Sequence, residues 1–398
     1  MTIRTQLPLE QPSPLQLAPV LLALQTQGPI HPIRTAVGDP AWLVTGYEEV
    51  RRLLDDDRLG RAHPAPDNAA RTGESVLFGG PIGDFDTEQL DHRRMRALLQ
   101  PHFSPKRMRA LRPRVEALTS DLLDELARRG PQADLHARLA LPLPIAVICE
   151  LLGVPYADRA QFHAWTQAAA DVTDKTRSEQ GLTELFTYGR QLVARKRREG
   201  HLGGDSEDAD VITRLALTEG VSDDEAAILG MLLLFAGHET TVVAIGMGAL
   251  WLLAHPDQWQ ALLGDPSRVN AAVEEILRAS GVGGHGILRY ARVDLDVAHV
   301  RVRAGDLVLL DLSAGNHDGE VFAEPDRFDI NRQAGAHLTF GYGARYCLGA
   351  PLARIELQAV FSQLISRFPT MRLARDVQEL TVNSHLLTGG LAELPVTW

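Results

Sequence analysis

From Ala226 to Ala254 the chain is apolar at most positions, and that run decides what kind of body can form around it. It is long enough to cross a bilayer in principle. It also carries His238 and Glu239, a pair that is expensive at mid-membrane. The expectation is therefore a long helix buried in a protein core. Ser222-Asp-Asp-Glu225 reads as its capping-box start, with Asp223 and Asp224 placed to favour the helix N-terminus. His255-Pro256 marks its end. The polar run His238-Glu-Thr-Thr241 inside such a helix needs a reason, because buried polar groups are costly unless paired. Either Thr240 bonds back to a backbone carbonyl, or these groups border a cavity.

A second segment, Phe340-Gly-Tyr-Gly-Ala-Arg-Tyr-Cys-Leu-Gly349, carries Cys347, one of two cysteines. Gly341, Gly343 and Gly349 let the main chain approach a flat ligand closely. Pro351 suits the first turn of a helix. Apolar residues then recur at helical spacing through Leu352, Ile355, Val360, Phe361, Leu364, Ile365 and Phe368. A thiolate at the mouth of that helix would lie near backbone N–H groups and the positive helix end, which favour its ionised form. Such a position suits a metal-bound sulfur.

This segment resembles the haem-ligand loop of the cytochrome P-450 family, F-G-x-G-x-x-x-C-x-G, and every defined position matches. The resemblance makes Cys347 the axial thiolate of haem iron, with Phe340, Gly341 and Gly349 lining the cofactor. Thiolate ligation pushes electron density onto iron and favours O–O cleavage. Ala236-Gly-His-Glu-Thr240 resembles the family's oxygen-binding motif, A-G-x-[DE]-T. On that match Ala236 and Gly237 leave room over the haem, Thr240 holds the oxygen or its water, and Glu239 relays protons.

Glu275-Ile-Leu-Arg278 falls where the family's E-x-x-R belongs, and Pro325-Asp-Arg-Phe328 resembles its P-x-R-F segment. Glu275, Arg278 and Arg327 are thereby expected to support the haem loop without taking part in chemistry. His92 and Arg96, four residues apart on one expected helix, resemble the family's H-x-x-x-R near the haem propionates. Arg289 and Arg345 match two further propionate positions. Arg93 and Arg94 read as solvated. By resemblance the substrate pocket is lined by Leu77, Phe78, Leu232, Phe235, Ala236, Ile287, Leu387 and Thr388, an apolar set with few polar anchors.

Around these motifs, Trp42–Thr45 reads as a strand and Tyr47–Asp55 as a helix. Residues 62–88 read as a long loop with one turn of helix. Leu15–Leu24, residues from His92 to about Ala254, and the stretch after Cys347 read as helical. Residues 281–312 turn to glycine and β-type residues, and Leu380–Trp398 reads as short strands around Thr388-Gly-Gly390. Between Arg278 and Arg289 the family usually places a proline. Here Ala279–Leu288 has glycines instead, so residues 281–286 should form an unusually free loop, with His285 at a turn or facing substrate.

The resemblance runs from about Trp42 to the end, and residues 1–398 are expected to form one domain. The fold it implies is mainly α with a small β-rich region, haem lying between the long helix and the Cys-bearing one. The net charge of −11 argues against general nucleic-acid binding. Two cysteines make no disulfide framework. Cys149, in the apolar run Ile145–Leu152, reads as packed. The N-terminal residues show no signal-peptide pattern, and a cytoplasmic monomer with no membrane anchor is expected.

The implied activity is monooxygenation of a small apolar organic molecule, in keeping with secondary metabolism. Haem b (iron protoporphyrin IX) is the cofactor and O2 the co-substrate. Electrons from NAD(P)H would arrive through ferredoxin reductase and a ferredoxin. The basic residues Lys106, Arg107, Arg109, Arg112 and Arg114 offer either a docking patch for an acidic ferredoxin or a solvated helix face. Two rivals remain open: a peroxygenase driven by hydrogen peroxide, and a haem-binding sensor without turnover.

Overall fold

The structure is a computed structural model and describes residues 5–200, 209–280, 286–333 and 337–398. Along these residues the helices are α1 (Pro19–Gln25), α2 (Tyr47–Leu54), α3 (Glu88–Leu99), α4 (Pro105–Arg129), α5 (Pro142–Leu152), α6 (Arg159–Ala169) and α7 (Lys175–Gly200). They continue as α8 (Val211–Leu217), α9 (Asp223–Ala254), α10 (Pro256–Gly264), α11 (Val269–Ala279), α12 (Leu312–Asn316) and α13 (Ala350–Arg367). The strands are β1 (Ile30–Arg34), β2 (Pro40–Val44), β3 (Leu59–Gly60), β4 (Gln132–Asp134), β5 (Ile287–Ala291), β6 (Leu295–Val297), β7 (Val300–Val302), β8 (Leu307–Leu310), β9 (Arg372–Leu373) and β10 (Pro395–Thr397). The mainly helical fold with a small β region is the expected one.

The main sheet has the order β1-β2-β8-β5-β3, with β2 and β8 parallel and the other pairs antiparallel. Smaller sheets join β4, β10 and β9, and β6 with β7. The expected strand at Trp42–Thr45 and helix at Tyr47–Asp55 are β2 and α2. The expected long loop at 62–88 holds a single short helical turn, Pro66–Asn68. α1 starts at Pro19 rather than Leu15, because proline is tolerated in a first turn and not in a helix interior. In the tail, Val382 bridges Leu391 around Gly389 and Gly390, both at positive φ. Residues 281–285 of the expected glycine-rich loop, His285 included, lie outside the described residues.

α9 is the axis of the core. It is long and apolar enough to cross a membrane, yet most of it is buried inside the protein. A helix apolar on every side is stable in water only when other elements cover it. Here α5, α7, α8, α11 and α13 do so. Gly248 permits the closest approach: a Cβ there would stand 2.6 Å from Phe361 of α13 and 2.7 Å from Ile276 of α11. The Ser222 hydroxyl caps the helix by accepting the Glu225 N–H at 3.1 Å. The return half of the expected capping box is replaced, because the Glu225 carboxylate takes two bonds from Arg94 at 2.6 and 2.8 Å. Arg94, expected to be solvated, thus ties α3 to the start of α9.

α13 begins with Pro351 in its first turn. Its apolar positions Leu352, Ile355, Val360, Phe361, Leu364 and Ile365 are all buried, as is Phe368 just beyond it. They share one apolar cluster with α9 and α11. The Cys347 loop is therefore attached to the packed core.

Candidate active site

Within the middle of α9, Ala236 and Thr240 are exposed while the residues around them are buried or half-buried. They lie one turn apart and share a face with half-buried Leu232. Ahead of α13, Gly343, Ala344, Tyr346 and Cys347 are likewise exposed. Bare surface on two core elements is what a large flat group would cover. The Thr240 hydroxyl donates to the Ala236 carbonyl at 2.7 Å, so the back-bond and the cavity border coexist. Gly237 corrects the sequence expectation. Its missing side chain faces α5, where a Cβ would meet the Ile148 tip at 2.9 Å; it serves helix packing, and Ala236 is the small residue on the exposed face.

The cysteine loop is folded by its own backbone. Cys347 N–H donates to Phe340 O at 2.9 Å, and Tyr346 N–H to Gly343 O at 3.0 Å. Gly343 has φ +68, and a Cβ there would overlap the Asp55 carboxylate. That carboxylate accepts the Ala344 N–H at 2.8 Å and pins the loop to the end of α2. At Gly349 an added Cβ would lie 3.8 Å from the Cys347 sulfur. The backbone N–H groups of Gly349 and Ala350 do favour the thiolate, but although Cys347 has exposed surface, the protein packed around its sulfur desolvates a charge there, outweighs them and pushes the thiol pKa up. A cation bound at the sulfur would favour the thiolate against that shift. Phe340 stacks under Arg354 at 4.6 Å. Arg354 is itself held by Glu274 at 2.7 and 2.9 Å.

Beside this loop, His92, Arg96, Arg289 and Arg345 come together as expected. Arg96 reaches the Tyr346 carbonyl at 2.6 Å. Burial, then Arg345 and Arg96, push His92 down to about 4. Arg289 is 7% exposed and bonds only the Leu288 carbonyl among the described residues. Burial, then Arg345 and Arg61, lower its pKa to about 9. Arg61 joins them with a buried Nε that has no partner among the described residues. The carboxylate in their midst is Glu88, which accepts from the backbone of Arg61 and Ala62 and from Arg345 at 2.9 Å. Sequence reasoning missed Arg61 and Glu88, which belong to no motif. Arg61, Arg289 and Arg345 around the one Glu88 carboxylate leave an excess of positive charge, which suits a ligand bearing carboxylates. One sulfur donor, two bare core surfaces and this cationic cluster fit haem and its propionates.

The expected support network is present with one change. Arg278 and Glu275 are fully buried and joined by two bonds of 2.8 Å. Arg327 does not join through its side chain, which is 59% exposed and paired with Glu324. Its main-chain carbonyl accepts from Arg278 and Arg332 instead. The second arginine is Arg332, 3.2 Å from Glu275 and largely buried.

Glu239 faces away from the exposed surface of α9. Its carboxylate is 4% exposed and accepts from Thr166 of α6 at 3.4 Å. Burial raises its pKa to about 7. With His136, His163, Gln167 and Asn383 it lines a small, partly polar cavity. Glu239 and Thr240, adjacent in sequence, thus serve two compartments.

Of the expected pocket residues, Phe78 and Phe235 stack at 5.0 Å and join Leu387 in a cluster with Ala169, Ala170 and Leu386. Thr388 is buried with a hydroxyl lacking a partner. Leu77 is half-buried and offers its carbonyl to Arg61. Ile287 packs instead on the sheet cluster, because it opens a strand of that sheet. The basic series on α4 is partly consumed internally. Arg107 bonds His102 and the Ala209 carbonyl, Arg112 bonds Gln358, and Arg114 pairs with Glu150.

A profile for the family Cytochrome P450 matches residues 267–390. The chain is 42% identical to pentalenolactone synthase of Streptomyces exfoliatus, over 99% of each chain. It is 37% identical to cytochrome P450 monooxygenase PikC of Streptomyces venezuelae, over 96% of this chain and 90% of that one. Among solved structures it is similar to substrate-free cytochrome P450 PimD, a polyene macrolide antibiotic pimaricin epoxidase. That pair has a TM-score of 0.87 and 39% identity, covering 99% of each chain.

Proposed function

The chain belongs to the cytochrome P450 family as a monooxygenase that uses haem and O2, and from that premise we propose how its own residues carry the reaction. It inserts one oxygen atom of O2 into an apolar small molecule of secondary metabolism and releases the other as water, consuming two electrons and two protons. The observation that carries this reading is the division of α9: exposed Ala236 and Thr240 on one face, and Glu239, poised near neutral pH, on another.

Cys347 would hold the haem iron, with Phe340, Gly341 and Gly349 shaping the loop around it. Arg289, Arg345, His92 and Arg96 would hold the propionates, Arg345 exchanging part of its Glu88 pairing for them. Bound haem supplies the oxygen-activating chemistry. Thr240 offers a hydroxyl at the exposed face and can turn from the Ala236 carbonyl to a ligand or water. Glu239 is half-protonated near pH 7, the condition in which one group can both give and take a proton. Phe78, Phe235 and Leu387 exclude water and present an apolar wall to substrate, with Leu232 beside Ala236. The Thr388 hydroxyl is the polar anchor in that wall. Glu275 and Arg278, with Arg332, hold the chain leading into the cysteine loop.

Relatives named for macrolide epoxidation and pentalenolactone formation support a bulky polyketide or terpenoid as substrate. Electrons come from NAD(P)H through ferredoxin reductase and a ferredoxin, in a cytoplasmic, single-domain monomer. The test is reconstitution with those partners. Steady NADH consumption with an oxidised product, and none from NADH-free peroxide, supports the monooxygenase. Product from peroxide alone would make the chain a peroxygenase, and haem binding without any product would make it a sensor.

A further inference from the structure

We propose that His163, His238 and Glu239 form a binding site for one divalent cation of the zinc type, set into the core beside the reaction chamber. Each of the three residues offers one ligand atom, and those atoms all lie within 4.8 Å of one another. The Glu239 carboxylate oxygen is 3.4 Å from His238 Nδ1 and 3.7 Å from His163 Nδ1. A tetrahedral zinc with arms of about 2.0–2.1 Å holds its ligands about 3.4 Å apart. The two Glu239 distances are close to that spacing, and the two imidazole rings, whose ligand atoms lie within 4.8 Å of each other, would turn toward the ion to complete it.

A second observation points to a ligand. His238 is fully buried, and among the described residues neither ring nitrogen makes a hydrogen bond of ordinary geometry, the Leu141 backbone giving it only a weak contact; His163 Nδ1 is buried and unpartnered among them as well. Burial of imidazole without a partner is costly, and a metal bond removes that cost at the ligating nitrogen. The groups come from two helices, α6 and α9, rather than from a loop. Thr166 donates to the same carboxylate, the outer-shell support that metal ligands commonly have. The cavity lined by His136, Gln167 and Asn383 lies on the open side of the cluster and leaves room for a fourth ligand, a water. Nitrogen and oxygen donors in a three-residue set with one open position suit zinc rather than calcium or magnesium, which take oxygen ligands.

A cation there would occupy Glu239. This consequence rests on the reading that Glu239 carries protons; the site itself does not. The experiment titrates zinc chloride into the haem-loaded protein and measures bound zinc calorimetrically, with zinc-edge X-ray absorption on the complex. One zinc per chain with nitrogen and oxygen neighbours is expected. Affinity should fall about tenfold or more in His163→Gln and stay unchanged in His385→Ala, which alters an exposed histidine outside the cluster. His163→Gln is the primary variant because His163 is only partly buried; His238→Leu serves as the second, and either must keep the haem spectrum. Affinity unchanged in both variants, or no stoichiometric binding, overturns the proposal. Product per NADH is followed in the same titration. Zinc that binds through His163 and lowers product supports both readings. Zinc that binds through His163 and leaves product untouched supports the site and overturns the proton role of Glu239.

Discussion

Glu275 and Arg278 meet as a fork of two 2.8 Å bonds, with neither side chain exposed to solvent. Arg278 continues from the fork to the main-chain carbonyls of Asn316, Pro325 and Arg327, and the Glu275 carboxylate accepts the Asp329 N–H at 3.0 Å. The pair therefore fixes the chain that runs into the cysteine loop. A charge network in this position acts on the site through the backbone.

Removing one partner of such a pair strands the other charge and costs roughly 3–5 kcal/mol. Glu275→Ala should give little folded, haem-loaded protein. Arg327→Ala, at the surface, should change stability by no more than about 0.5 kcal/mol, and Arg332→Ala should fall between them. Haem content per purified chain and thermal unfolding are the measurements. A Glu275→Ala variant that holds haem normally and merely turns over slowly would contradict the structural assignment.

Cys347→His should abolish the long-wavelength absorption of the reduced, carbon monoxide-bound protein, the mark of thiolate ligation. Cys149→Ala is the matched control. Cys149 is buried in α5 with its thiol pushed up to about 12, so it is inert, and the band should persist. An unchanged band in Cys347→His would remove the proposed ligand.

What could be read from the sequence follows a physical divide. Cys347, Thr240 and Glu275-x-x-Arg278 were legible by resemblance to family motifs, because each motif lies within one short segment. Arg332 was not, since Pro325-Asp-Arg-Phe328 contains a plausible arginine and only the turn that follows decides which guanidinium points inward. Arg61 and Glu88 come from opposite ends of a long loop, and His163 sits on a different helix from Glu239. Contacts of that kind depend on tertiary packing and leave no periodic trace. Gly237 shows the reverse error: the glycine was found, but its role was settled by which neighbour its bare face met.

Burial raises Glu239 from 4.5 to about 7, so the folded protein keeps a proton that the unfolded chain has lost. Between about pH 4.5 and 7 this group makes stability fall as pH rises, and above 7 the effect levels off. Glu239→Gln has no such dependence. With chelator present to keep metal away, the stability of Glu239→Gln relative to the parent should rise across that window by roughly 3 kcal/mol at most. Urea unfolding at pH 5 and pH 8 measures it. Parallel pH profiles for the two proteins would show that Glu239 ionises at the ordinary carboxylate pKa.

Thr240→Ala isolates chemistry from folding. The hydroxyl's one bond among the described residues is to the Ala236 carbonyl in its own helix, and alanine is the better helix former, so the variant should fold and load haem as the parent does. Substrate binding and electron uptake should also persist, because the apolar wall and the cysteine loop are untouched. What is lost is the group that holds a water or oxygen at the exposed face of α9, and with it control over where protons arrive. NADH consumption should therefore continue while product falls and hydrogen peroxide rises to match. Glu239→Ala should act differently. It removes a proton carrier on the other side of the helix, so turnover slows, by about 10²–10⁴-fold if no water replaces it, with a larger solvent isotope effect. The measurement is product per NADH with peroxide assayed in parallel. If Thr240→Ala keeps the parent's ratio of product to NADH, the hydroxyl is outside the pathway, and a substrate hydroxyl or a water held elsewhere must position the proton.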